Sequence, residues 1–165
     1  MNGVTCSVVF AAALVLGGQH RSLTVAVPVE PPDFTGEWVL DVERSDFGMS
    51  PRADSSVTTI SRADERLILS RITSAGMGQH GQIELDMPID GEIHEGTGLG
   101  GTPVPASARW EGDALVLTVF GQSNVGDIEI VDVMTLEDDV LRVERTVVVP
   151  GMAGLTQSLV LRRRS

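Results

Sequence analysis

Asp132 and Arg145 carry charge where the surrounding pattern calls for none. They lie in "DIEIVDVMTLE" and "VLRVERTVVVP", two runs that alternate apolar and polar residues with the period of a β-strand. Alternation sets Asp132 on the side of Ile130 and Met134, and Arg145 on the side of Val143 and Val147. Glu129, Arg142 and Glu144 fall on the other, solvent side. A hairpin turning at Asp138-Asp139 makes Leu136 face Leu141, Met134 face Val143 and Ile130 face Val147, and it brings Asp132 opposite Arg145. A charge pair on an apolar face is expensive to desolvate, and removing one partner typically costs about 3–5 kcal/mol. Two readings stand. Arg145 offers its fork to a ligand carboxylate or other polar head while Asp132 orients it, or the two form a purely structural pair. Arg71, on the face of Leu67 and Leu69, is a second candidate with the same two readings.

Other chemistry-bearing groups are sparser. Asp90, Glu92 and His94 in "DGEIHEG" stand at alternate positions, hence on one side of an extended segment. They could hold a hard or borderline metal, or supply a His acid/base with a carboxylate partner. No second His lies at ligand spacing, and a solvated strand edge is the plainer reading. No metal, cofactor or catalytic residue is therefore assigned. "GTGLGG" (Gly96 to Gly101) matches GxGxxG, but Pro103 and Pro105 follow where a helix should begin, so it reads as a flexible loop. Ser123 in "GQSNVGD" has GxSxxG rather than GxSxG spacing and joins two strands, so it belongs to a hairpin loop. The single cysteine, Cys6, lies near the start, and every basic residue is Arg; disulfide and lysine Schiff-base chemistry are excluded beyond it.

These residues need strands to hold them. "GQIELDMPID", "ALVLTVFG" and "LTQSLVLRRR" alternate like the two runs above, and turn signals such as "ADER", "GMGQHG", "EGD" and "GMAG" separate them. No window shows helical periodicity. A turn at Gly112-Asp113 sets Trp110, Ala108 and Ala106 opposite Leu115, Leu117 and Val119, all on one face. Trp110 then reads as core that could also serve as ligand wall, with Leu117 and Val143 beside it. The fold class expected is all-β: an antiparallel up-and-down meander closed into a barrel of about eight to ten strands, since closure removes edges that would otherwise aggregate. A β-sandwich is the alternative.

"FTGEWVLDVERSDFG" opens this region, and "LVLRRRS" ends it. With Gly36-Glu37-Trp38, the "DGEIH" segment (Asp90 to His94) and the hairpin from Trp110 to Leu117, residues 34–164 resemble the calycin superfamily, in particular small exported bacterial domains of the lipocalin-like kind. That resemblance implies a barrel whose opening strand carries Trp38, and an Arg of the final strand packed across the indole. Alternation selects Arg163 over Arg162 for that place. The lipocalin cysteines are missing, as is the Tyr that in such barrels helps an Arg hold a fatty-acid carboxylate.

Ahead of the barrel, "VTCSVVFAAALVLGG" (Val4 to Gly18) is an uncharged apolar run of signal-peptide length, followed by a small-residue pattern at Thr24-Val25-Ala26. Residues 1–26 read as a signal peptide, cleaved or retained, 27–33 as a Pro-rich leader and 34–164 as one domain. The location expected is periplasmic or extracellular. Removing 1–26 takes Arg21 and no acid, leaving 11 Arg against 23 Asp and Glu, a net charge of −12. Such a surface disfavours nucleic acid and anionic membranes, and no membrane insertion of the mature domain is expected. The resulting expectation is a non-catalytic barrel binding a small apolar or amphipathic ligand. The alternatives are a small isomerase- or cyclase-type enzyme using His94 and carboxylates, and an interaction module with a filled core. Oligomeric state is left open.

Overall fold

The computed structural model describes residues 30–123 and 126–164; the expected signal peptide and residues 27–29 of the leader lie outside them. Ten antiparallel strands follow one another: β1 (Gly36–Leu40), β2 (Ala53–Ala63), β3 (Arg66–Ala75), β4 (Gln79–Pro88), β5 (His94–Gly98), β6 (Pro103–Glu111), β7 (Ala114–Ser123), β8 (Gly126–Glu137), β9 (Val140–Val148) and β10 (Leu155–Arg163). Each pairs with its neighbours in sequence, and β1 pairs with β10, so the meander closes into a barrel rather than a sandwich. The two short 3-10 turns, Gly76–Gly78 and Leu99–Gly101, are the only helical elements among the described residues.

Both hairpin registers follow the apolar pattern. Trp110 pairs with Leu115, Ala108 with Leu117 and Ala106 with Val119. Leu136 pairs with Leu141, Met134 with Val143, Asp132 with Arg145 and Ile130 with Val147. The turns are two residues long, at Gly112-Asp113 and Asp138-Asp139, and Gly112 (φ 64°) and Asp138 (φ 54°) take the left-handed conformation that such tight turns demand. An even-length loop keeps both apolar sets on one face. Gly96, Thr97 and Gly98 of the glycine-rich stretch extend β5 rather than forming loop; only Leu99–Gly101 turns. Both neighbouring strands crowd Gly96: a Cβ there would strike a Leu85 methyl and the Glu84 carbonyl of β4 and press on the Val104 carbonyl of β6, so an extended strand fits only because the residue is glycine.

One end of the barrel is sealed. Trp38 is fully buried and pairs with Arg163, whose guanidinium carbon lies 4.4 Å from the indole ring centre. The indole N–H donates to the Phe34 carbonyl at 2.9 Å, and Arg163 donates to the Thr35 carbonyl. Arg162 points away and pairs with Asp41 at 2.6 Å. Above this plug the core is filled by Leu67, Leu69, Leu85, Leu115, Met134 and Leu141, all nearly inaccessible. Toward the other end the inward residues Thr73, Ile83, Val104, Val119, Ile130 and Val147 are only half-buried. Packing thus gives way to space along the barrel axis.

The link from β1 to β2 folds back across that open half. Asp46 exchanges two backbone hydrogen bonds with Ser158 of β10, both 2.8 Å, and the Ser45 hydroxyl accepts from the Val160 N–H at 3.0 Å. Gly48 (φ 54°) passes so close to β10 that a Cβ would lie 2.5 Å from the Thr156 carbonyl oxygen, which requires glycine there. Fastened this way, the link turns Phe47 and Pro51 over the barrel interior.

Candidate ligand-binding site

Asp132 sits where the filled core ends, with 1% of its side chain exposed. Its β9 neighbour Arg145 donates Nε–H to one carboxylate oxygen at 2.6 Å and Nη2–H to the other at 2.8 Å, a two-pronged contact. A second guanidinium completes the arrangement. Arg71, from β3, donates Nη1–H to Asp132 Oδ2 at 2.7 Å and Nε–H to the Thr58 hydroxyl at 3.2 Å. In the ring of ten strands, β3 and β8 are five places apart in either direction, so the Arg71–Asp132 pair spans the interior from wall to wall.

Two guanidinium groups share one carboxylate, so the cluster carries a net positive charge inside the barrel. Burial alone would push the Asp132 carboxyl upward, but the attraction of Arg145 and Arg71 and their hydrogen bonds hold it far below the usual carboxylate range. Burial lowers the Arg71 pKa, aided by the like charge of Arg145 and only partly countered by Asp132. Arg145, though buried, is raised by Asp132. Asp132 is thus ionised throughout the physiological range.

Not every donor is used. Arg71 keeps Nη2 and Arg145 keeps Nη1 without a protein acceptor among the described residues, and neither atom is sealed from solvent. The cross-barrel pair splits the space above it into two chambers. One, of about 140 Å³, lies under Phe47 and Pro51 and is bordered by Ser56, Thr58, Gln157 and Leu159 as well as both arginines. The other, of about 260 Å³, is bordered by both arginines, Ile83, Val104, Val119 and Ile130. Each chamber therefore combines a cationic floor with an aliphatic wall.

The expected site residues divide accordingly. Asp132, Arg145 and Arg71 come together, and Val143 borders the first chamber. Leu117 is fully buried beside Asp132 and borders neither chamber. Trp110 lies in the sealed half, 5.8 Å from the Phe34 ring centre and under Arg62 at 5.6 Å, away from the arginines. His94 bonds Asp90 at 3.1 Å on a half-exposed stretch, while Glu92 contributes only its backbone N–H to Asp90. His94 borders neither arginine chamber, and among the described residues no three His, Cys, Asp or Glu side chains gather as a metal-binding group. Ser123 ends β7 and pairs with Gly126 across the turn, as a hairpin position does. Sequence reasoning missed Thr58, Ser56 and Gln157, polar residues at inward positions of their strands; that parity was the available signal.

No family model and no curated protein matches this chain. Solved structures do. An SAHS (abundant heat soluble) protein from Ramazzottius varieornatus superposes with a TM-score of 0.57 at 12% identity, over 79% of this chain and 95% of that one. The zebrafish ileal bile acid-binding protein, complexed with cholic acid, superposes with a TM-score of 0.56 at 10% identity, over 79% of this chain and 98% of that one. At such identities the likeness is one of fold alone: this chain, like them, folds as a closed barrel, here of ten antiparallel strands.

Proposed function

We propose that the protein is an exported, non-catalytic barrel that holds a small amphipathic anion, its charged head on Arg71 and Arg145 and its apolar body against Ile83, Val104, Val119 and Ile130. One observation carries this reading: a buried cluster with one more guanidinium than carboxylate, whose spare N–H groups open into half-empty chambers. A purely structural pair would balance its charge. The third charge, added from the far wall, leaves an excess that an incoming carboxylate neutralises. The bile acid-binding barrel of the same fold, which holds cholic acid, supports the choice of an amphipathic acid. Export rests on the apolar run and small-residue pattern at the N-terminus.

The test is a fluorescence titration with cis-parinarate, a long-chain carboxylate. Arg145→Met keeps the Arg71–Asp132 pair, so Asp132 is not left without a cation, and the folded variant should bind at least tenfold more weakly, the equivalent of losing about 1.5–3 kcal/mol of charge-assisted hydrogen bonding. Unchanged binding by a folded Arg145→Met protein would remove the arginines from the site.

A further inference from the structure

The barrel wall is not closed all the way up between β6 and β7. Their pairing runs from Glu111↔Ala114 to Ala106↔Val119 and stops, although β6 begins three residues earlier at Pro103 and β7 continues to Ser123. The hairpin turns on two residues, so Glu111↔Ala114 is a hydrogen-bonded pair, and such pairs recur at every second position through Arg109↔Val116 and Ser107↔Thr118. Continuing the series puts Pro105 opposite Phe120 and Pro103 opposite Gln122. Both prolines lack the N–H those two pairs would need. The direction is checked independently: the Ala108 carbonyl accepts from the Gly91 N–H at 2.8 Å on the other side of β6, so the odd-numbered residues of β6 are the ones that face β7.

The outer edges of both strands stay occupied. Val104 pairs with Gly96 of β5, while Gly121 and Gln122 pair with Ile128 and Asp127 of β8. The gap is therefore a seam between two strands that are each paired along their other edge, not a frayed terminus. It joins two spaces. Outside lies a cleft of about 710 Å³ bordered by Leu99, Pro103, Pro105 and Ile128; inside lies the chamber of the two arginines. Gly81, Gln82, Val104, Phe120 and Gly121 border both. Across the barrel, the β1–β2 link is fastened to β10 and closes that side.

We propose that the ligand enters sideways through this proline-made seam and that its tail stays in it, against Val104, Phe120 and Ile128, while the head reaches Arg71 and Arg145. This rests on the anion reading above and narrows it. The inner chamber of about 260 Å³ is smaller than an ordinary enclosed ligand pocket of roughly 300–1,000 Å³. An amphipathic acid whose apolar body exceeds that space must leave its tail in the seam, so the ligand class is a carboxylate with an extended, flexible tail.

The test locks the seam. In the full-length chain carrying Cys6→Ser, Val104→Cys and Gly121→Cys place two thiols at positions that the continued register sets opposite each other. Stopped-flow association of cis-parinarate should slow at least tenfold on oxidation and recover on reduction of the same protein. Gly121→Phe needs no bond formation: its backbone is not left-handed and an added Cβ meets only Ile128, at 3.4 Å, so the ring should fill the seam and slow association likewise. Association that stays fast in the oxidised, cross-linked protein, or in Gly121→Phe, overturns the seam. If Arg145→Met still weakens binding in that case, the anion site stands without it; if Arg145→Met binds normally, the anion site itself has failed.

Discussion

Asp132 shows how a single acidic side chain can hold two guanidinium groups together inside a barrel. Its two oxygens accept three guanidinium hydrogen bonds, from Arg145 twice and Arg71 once. Two cations that would repel each other are thereby held side by side with donors to spare. Asp132→Asn keeps the shape and removes the charge, leaving two guanidinium groups uncompensated, which should destabilise the fold by about 3–5 kcal/mol in a urea titration. The pH dependence has a definite sign. The folded-state pKa of Asp132 lies below that of the unfolded chain, about 3.9. Its contribution to stability is therefore complete above that value and is lost as pH falls from about 4 toward the folded-state pKa. Wild-type stability should decline through that range, with the part due to Asp132 missing from the slope of the Asn variant. An identical acid slope in the two proteins would contradict this. That Asp132 meets Arg145 was legible, because period-two patterning and a two-residue turn fix which residues oppose each other. That it also meets Arg71 was not. The two are 61 residues apart on facing walls, and only the closed barrel's diameter decides whether the side chains reach.

Strands and their connections differ in what they disclose. β6 to β9 announce themselves by alternation; that an Arg of the last strand stacks on Trp38 was implied by the family resemblance, and alternation added only the choice of Arg163, which falls on the side of Leu159 and Leu161. Arg163 acts on the closure of the ring, joining β1 to β10 by stacking on the indole and by its bond to Thr35. Arg163→Met retains the apolar stem and removes the cation, so thermal unfolding should report a loss of about 0.5–2 kcal/mol. An unchanged transition would reduce the stacked guanidinium to a bystander. The β1–β2 link was opaque to pattern. Nothing in "DVERSDFGMSPR" is periodic, and what fixes it is a set of individual hydrogen bonds from Ser45 and Asp46 to β10, with one glycine at a close approach. The seam was overlooked for a related reason. Pro103 and Pro105 register as breakers of a helix in sequence, but which neighbour loses its hydrogen bonds depends on the phase of the hairpin.

The molecule as a whole is a barrel divided across its axis: sealed and packed below the Asp132 cluster, roomy and partly open above it. The strongly acidic chain makes the buried cationic centre an exception to its own surroundings, which favours retaining an anion once it is inside over collecting anions on the outside. The proposed export is tested at this scale too. Expressed full length in a bacterial host, the protein recovered outside the cytoplasm should begin at Val27 by N-terminal sequencing; a product that keeps Met1 would remove the cleaved leader. The most direct measurement compares two ligands that differ only in the head. Calorimetric titration of the wild-type barrel with palmitate and with hexadecanol, an uncharged partner of the same chain length, isolates what the arginines contribute. Palmitate should bind at least tenfold more tightly, the equivalent of about 1.4 kcal/mol, with the advantage gone in Arg145→Met. Equal affinity of the acid and the alcohol for the wild-type protein would contradict the claim that this barrel recognises an anion.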